Sequence, residues 1–259
     1  MALVVPMALV ILISFFDFQF YGGMQAAFTW KNYAEIFSDG YYYEIYARTF
    51  GVAAAVTLAC LVLGTAEAYV LSRMANPWKG LFLMVVLGPL LISVVVRTLG
   101  WALLFGSTGL INQALMGIGL ISTPIDLMYS NLGVAIALTH VLVPFMVISV
   151  WASLQRINPS TEAAALSLGA TQFTVIWRVV IPQVMPGILS GAIMVFAMAA
   201  SSFATPAIIG GRRLKNVATA AYDEFLNTLN WPLGAALAVV LLLATVVVLL
   251  SADRIIARK

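Results

Sequence analysis

The chain has 259 residues, of which 9% are charged and 63% apolar, and its mean hydropathy is +1.03. Soluble domains carry about 25% charged and roughly 45–50% apolar residues, so no soluble core of this length hides such a surplus. A soluble globular protein is excluded, and the net charge of +3 reads as membrane-flanking basic residues rather than as a nucleic-acid surface.

The apolar residues fall in continuous runs, whereas barrel strands alternate, so the chain reads as helical. Cys60 is the single cysteine and His140 the single histidine, which excludes an intrachain disulfide and leaves no metal-ligand spacing. None of Lys31, Lys79, Lys215 and Lys259 follows a glycine-rich phosphate loop, so the chain shows no means of hydrolysing ATP itself. No cofactor is expected in it.

A helix crossing the ~30 Å hydrocarbon core needs roughly 20 apolar residues. Ala2–Phe16 is a short first candidate, carrying Pro6 and lacking the basic residues and cleavage site of a secretory signal. It reads as a first span, with the completeness of its N-terminal tail left open. Gly51–Leu71, Leu81–Phe105, Leu132–Leu154, Ile188–Ile209 and Leu233–Leu250 follow as full-length runs. Pro89, Pro144 and Pro206 lie inside three of them, which neighbouring helices of a packed bundle can tolerate. No linker divides the chain, so residues 1–259 read as one all-α integral membrane domain of six spans.

With both termini on one side, that side holds seven basic residues, Arg73, Lys79, Arg156, Arg178, Arg254, Arg258 and Lys259. The other holds five, Lys31, Arg48, Arg212, Arg213 and Lys215, among several acids. The positive-inside rule places the termini in the cytoplasm. Trp78, Trp151 and Trp177 then mark inner edges, and Trp101 and Trp231 outer ones.

Between the runs Leu132–Leu154 and Ile188–Ile209, residues 155–187 form a polar-edged insert expected in the cytoplasm. Asn158 before Pro159 is a helix start, a side-chain cap followed by proline at the first helical position. Gly169 suits the left-handed position that ends the helix. Thr171 can cap a second helix, which Pro182 is expected to end. On it Phe173, Ile176, Trp177, Val180 and Ile181 make an apolar stripe. Two readings stand: an amphipathic helix resting on the membrane, or a short knob that docks on a partner.

The insert resembles the signature loop of permease subunits of binding-protein-dependent ABC importers: EAA, three residues, Gly, nine residues, Ile, one residue, Leu-Pro. Gly169 and Pro182 match in spacing, Val179 and Ile181 replace Ile and Leu, Ala163 occupies the motif's Glu position, and Glu162 lies one residue early. Further words resemble the spermidine/putrescine branch of that family. These are Asn32-Tyr33 with Phe37-Ser38-Asp39, Val96-Arg97-Thr98 with Trp101, Pro144-Phe145-Met146, Thr205-Pro206-Ala207 with Gly210-Gly211, and Trp231-Pro232-Leu233-Gly234. The resemblance implies a six-helix type I importer bundle in a bacterial inner membrane. It implies a loop of Glu162, Ala163, Ala164, Gly169 and Pro182 that docks on a dimer of ATP-binding subunits, with ATP and magnesium bound there. A second, non-identical permease subunit, an extracytoplasmic solute-binding protein and a small polar or cationic, polyamine-like solute complete the implied system.

Polar residues inside a span need a reason, since insertion scales charge about 2.5–3.5 kcal/mol for an ionised one. Glu67, about one turn from the cytoplasmic end of its helix, reads either as an interfacial acid within reach of water or of Arg73, or as part of the translocation path. Arg97 either snorkels to the outer interface or serves gating or pairing with a partner's acid. His140 reads as a hydrogen-bonded structural histidine. Arg97, Trp101, Ser201, Ser202, Phe203 and Thr205 are the candidates for the translocation pathway, the last four serving either packing or solute contact. Two rival classes are an ion-coupled secondary transporter, for which Glu67, Arg97 and His140 do not cluster in sequence, and a membrane enzyme, for which no nucleophile–base constellation exists.

Overall fold

The computed structural model describes residues 4–256, giving the backbone alone for residue 159 and for 252–256. Ala2, Arg258 and Lys259 lie outside the described residues, as does the Arg254 side chain. Among the described residues, five helices are long and apolar enough to cross a membrane: Gly40–Arg73, Val94–Gly117, Asn131–Leu154, Gln172–Ala200 and Trp231–Ser251. Two shorter apolar helices, Val4–Ile13 and Trp78–Leu91, accompany them. The architecture is the all-α membrane bundle, with a count of long spans one short of six.

The chain separates into two compact units. The first comprises 4–52, 102–134 and 200–256. It begins with α1 (Val4–Ile13). The helix ends at Ile13, three residues before the Phe16 at which the expected first span closes. Instead of continuing to Phe16 the chain forms an antiparallel hairpin of β1 (Phe16–Gln19) and β2 (Gly23–Phe28). Buried Asn32 fixes this exit by donating to the carbonyls of Ser14 and Phe16, at 3.0 and 2.9 Å. Phe15 meanwhile stacks on Phe28 with ring centroids 4.9 Å apart.

The core of this unit joins α2 (Lys31–Ser38), the start of α3 (Gly40–Arg73), α11 (Val217–Leu226) and α12 (Trp231–Ile256). Ile36, Ile45, Val217, Leu233, Ala236 and Leu237 are buried together there, and the Tyr46 hydroxyl donates to the Leu237 carbonyl at 2.8 Å. α6 (Leu110–Gly117) is held by Asn112, which bonds the backbone of Gly106 and Ile125.

The second unit comprises 53–101 and 135–199. It contains the rest of α3, α4 (Trp78–Leu87), α5 (Val94–Phe105) up to Trp101, and α7 (Asn131–Leu154) from residue 135. It also holds α8 (Pro159–Ser167), α9 (Gln172–Val175) and α10 (Ile181–Ala200) to residue 199. Small residues let α7 approach its neighbours closely. A Cβ on Gly64 of α3 would lie 2.7 Å from Met146, and one on Gly187 of α10 would lie 2.3 Å from Ser153 Oγ. The Ser149 hydroxyl donates across the second contact to the Gly187 carbonyl at 2.8 Å.

Proline decides where three expected elements part from the structure. The run Leu81–Phe105 is not one helix: a 3-10 turn, Gly88–Leu91, carries Pro89, and Ile92 is extended (φ −92°, ψ 138°) before α5 begins. Proline lacks the N–H that would continue the ladder. The run Ile188–Ile209 breaks after Ala200 and resumes as a π-turn, Pro206–Gly210. Pro182, by contrast, does not end the second helix of the insert. A π-turn, Ile176–Val180, links α9 to α10, and the Ile181 N–H bonds the Ile176 carbonyl five residues back. The widened turn frees the carbonyl that a proline ring would otherwise strike, so the helix runs through from Gln172 to Ala200.

Candidate functional site

The two-helix insert is built by local chemistry. Asn158 Oδ1 accepts from the Ser160 N–H at 3.0 Å and caps α8. At the other end Gly169 has φ +85°, and the Gly169 and Ala170 N–H groups bond the carbonyls of Leu166 and Ala165, at 2.9 and 3.2 Å. This left-handed closure favours glycine. Thr171 Oγ1 then accepts from the Thr174 N–H at 3.3 Å and starts α9. All three local expectations are met.

The surface of the insert is more surprising than its frame. Ala163, Ala164, Leu166, Ser167 and Leu168 are exposed, Leu168 at 89%. Phe173 and Trp177 of the predicted stripe are exposed too, with rings 6.0 Å apart, while Val175, Val180 and Val184 take the buried side. Glu162 is turned inward, 9% exposed, and ion-paired with Arg73 at the end of α3. The Arg73 guanidinium also lies 5.2 Å over the Tyr69 ring. Arg73 thus pairs with Glu162, not with Glu67 as the sequence spacing allowed. Nothing local announced that contact, since the two residues are 89 positions apart; the one-residue shift of the acid against the resembled motif was its only trace.

Two pathway candidates share this unit. Arg97 and Trp101 stand one turn apart on α5, and the Trp101 indole N–H donates to His140 Nδ1 at 3.1 Å. That bond fixes the neutral His140 tautomer with its proton on Nε2. His140 is hydrogen-bonded as expected, though to a side chain that sequence spacing did not nominate. Arg97 Nε and Nη1 are buried with no hydrogen-bond partner among the described residues. Orphaned donors of this kind call for an acceptor.

Ser201, Ser202, Phe203 and Thr205 belong to the first unit and occupy the break after α10. Asn216, missed in the sequence, organises it: Nδ2 donates to the Ser202 carbonyl at 2.8 Å, while Oδ1 accepts from the Thr219 N–H and caps α11. Its signal was an asparagine three residues before a threonine at the head of a helix. Phe203 packs on Tyr222 with ring centroids 4.6 Å apart, and Thr205 is fully buried. Non-helical backbone at membrane depth survives only where protein or a polar cavity satisfies it, and Asn216 does part of that.

A family model described as a binding-protein-dependent transport system inner membrane component matches residues 1–259. The chain is similar to the spermidine/putrescine transport system permease protein PotB of Escherichia coli (strain K12), 30% identical over 239 residues, covering 91% of this chain and 86% of the relative. It is also similar to the molybdenum transport system permease protein ModB of Mycobacterium tuberculosis (strain ATCC 25618 / H37Rv), 32% identical over 197 residues, covering 76% and 72%. In fold it matches a chain of a bacterial alginate ABC transporter crystallised with an alginate pentasaccharide-bound periplasmic protein. There the TM-score is 0.80 at 18% identity, over 99% of this chain and 88% of that one. These likenesses favour the importer over an ion-coupled secondary transporter. The chain belongs to the inner-membrane components of binding-protein-dependent transport systems: it is a multi-pass permease subunit of an ABC importer.

Proposed function

We propose that residues 1–259 act as one permease domain that lines a translocation pathway together with a second, non-identical permease subunit. A dimer of ATP-binding subunits, carrying ATP and magnesium, docks on the insert at 155–187 from the cytoplasm, the side on which both termini lie. Glu162, Ala163, Ala164, Gly169 and Pro182 belong to this ATPase-coupling loop, whose outward face carries Ala163 and Ala164. The observation that carries this reading is the two-helix knob closed by Gly169 at φ +85° and presenting Leu168 at 89% exposure, in a chain otherwise devoted to crossing a membrane. Closure of the ATP-binding dimer rocks the helices between two states, and an external binding protein delivers the solute. The similarity to PotB supports a small cationic solute of the polyamine type.

Arg97, Trp101, Ser201, Ser202, Phe203 and Thr205 are the pathway residues in this reading. An unpaired arginine would repel a cationic solute, so the buried orphan nitrogens of Arg97 find a carboxylate on the second permease subunit. The test of coupling is Gly169→Asp in the assembled complex. A side chain at φ +85° strains the turn, and the carboxylate places a charge at the apex of the knob. Binding-protein-stimulated ATPase activity is expected to vanish while the complex still co-purifies. Retained stimulation would sink the docking role.

A further inference from the structure

The carboxylate of the insert sits one residue ahead of the motif position held by Ala163. On an α-helix one residue is a rotation of about 100°. The effect is visible in the burial: Ala163 and Ala164 face outward, while Glu162 is 9% exposed and faces the end of α3. A carboxylate taken out of water requires a charged or hydrogen-bonding partner. Arg73 Nη2 supplies it as a charge-assisted hydrogen bond. Arg73 is held from behind by Tyr69, one turn earlier on α3. The pair thus joins helices far apart in the chain, and α8 is otherwise continuous in sequence with α7 and α10 but not with α3. No charged residue remains on the outward face of α8, which carries Ala163, Ala164, Leu166 and Ser167.

We propose that Glu162 is a positioning residue rather than a docking residue. Its ion pair with Arg73 is a strut that makes α8 and the span α3 move together, and α8 meets the ATP-binding subunit through an uncharged face. The inference rests on the proposed coupling role of the insert and gives the force arriving at α8 a second route into the membrane, by way of α3.

The test uses the whole complex, with both permease chains, the ATP-binding subunits and the binding protein, in lipid nanodiscs. Glu162→Gln, Arg73→Gln, the neutral double variant and the charge swap Glu162→Arg with Arg73→Glu are compared. Two quantities are read: binding-protein-stimulated ATPase activity, and retention of the ATP-binding subunits as salt is raised. Each single variant is expected to lower stimulation about tenfold, within the ordinary range of coupling between sites, and the swap to restore most of it. Retention is expected to fall with salt along the same curve in every variant, since Glu162 makes no contact that salt could screen between α8 and the ATP-binding subunits. A swap no better than the single variants overturns the strut. So does loss of the ATP-binding subunits in Glu162→Gln but not in Arg73→Gln, which would make Glu162 a direct contact. Should a single variant fail to assemble because it strands a lone charge, the neutral double variant decides, and wild-type stimulation in it overturns the proposal. If Gly169→Asp retains coupling, the docking reading itself falls. If Gly169→Asp uncouples and the Glu162 and Arg73 variants do not, the strut alone falls.

Discussion

Glu35 illustrates how far a single side chain can be read. Partial burial, then the nearby Glu224 carboxylate, hold its carboxyl above the ordinary glutamate value of 4.5, with Lys31 pulling the other way. A carboxyl whose folded pKa is raised favours folding while protonated, and that contribution is lost as pH rises through the raised value. At neutral pH the charged Glu35 therefore opposes folding slightly. Glu35→Gln is expected to raise the thermal midpoint in detergent at pH 7, with the gap to wild type closing as pH falls below 4.5; an unchanged or lower midpoint at pH 7 contradicts this. Lys215 shows the opposite arrangement, its pKa raised first by the hydrogen bond it donates to Asp223, 2.6 Å away. Residues whose partners are local were legible in the sequence: Asn158, Thr171 and Gly169 each act within a few positions. Arg73 with Glu162, and Trp101 with His140, were not, because their partners lie 89 and 39 positions away.

At the scale of elements, hydrophobic runs placed the helices but did not decide their ends. Gly51–Leu71, Leu132–Leu154 and Leu233–Leu250 fall inside or on α3, α7 and α12 because nothing within those stretches withdraws a backbone donor except Pro144, which α7 absorbs. Pro89 and Pro182 look alike in the sequence and behave oppositely. One follows a glycine and ends in an extended residue; the other follows a π-turn that gives its ring room. The close approach of α10 to α7 was equally hidden, since a glycine run reads the same whether or not a helix lies against it. A Cβ at Gly187 would meet Ser153 Oγ at 2.3 Å and the Ser149 carbonyl at 2.8 Å. Overpacking of this kind costs about 1–3 kcal/mol. Gly187→Ala is expected to lower the thermal midpoint by several degrees, and adding Ser153→Gly to recover only part of it, because the backbone contact remains. Full recovery, or no loss, would show that the helices part more easily than this packing implies.

At the scale of the whole molecule, the chain is one component of a larger machine, and its surface says so. The span Val94–Gly117 is only 17% buried within the chain, against 61% for Asn131–Leu154. Arg97 lies on that exposed span with two nitrogens lacking acceptors among the described residues. Recovery of the chain from native membranes in mild detergent is expected to bring along an ATP-binding subunit and a second, different permease chain. Recovery of this chain alone, stable and intact, would remove the basis for the assembly. Membrane class, helical architecture, the capped two-helix insert and the family were all readable from the sequence. They depend on composition, on runs measured against a fixed bilayer thickness and on hydrogen bonds made within one turn of the chain. Only the tertiary structure decided that the first helix stops short at a hairpin, that Pro182 lies inside a continuous helix, and that Glu162 faces Arg73 instead of the outside. Those outcomes depend on which distant segment supplies a missing hydrogen bond, room for a ring or a countercharge, and sequence distance carries no record of that.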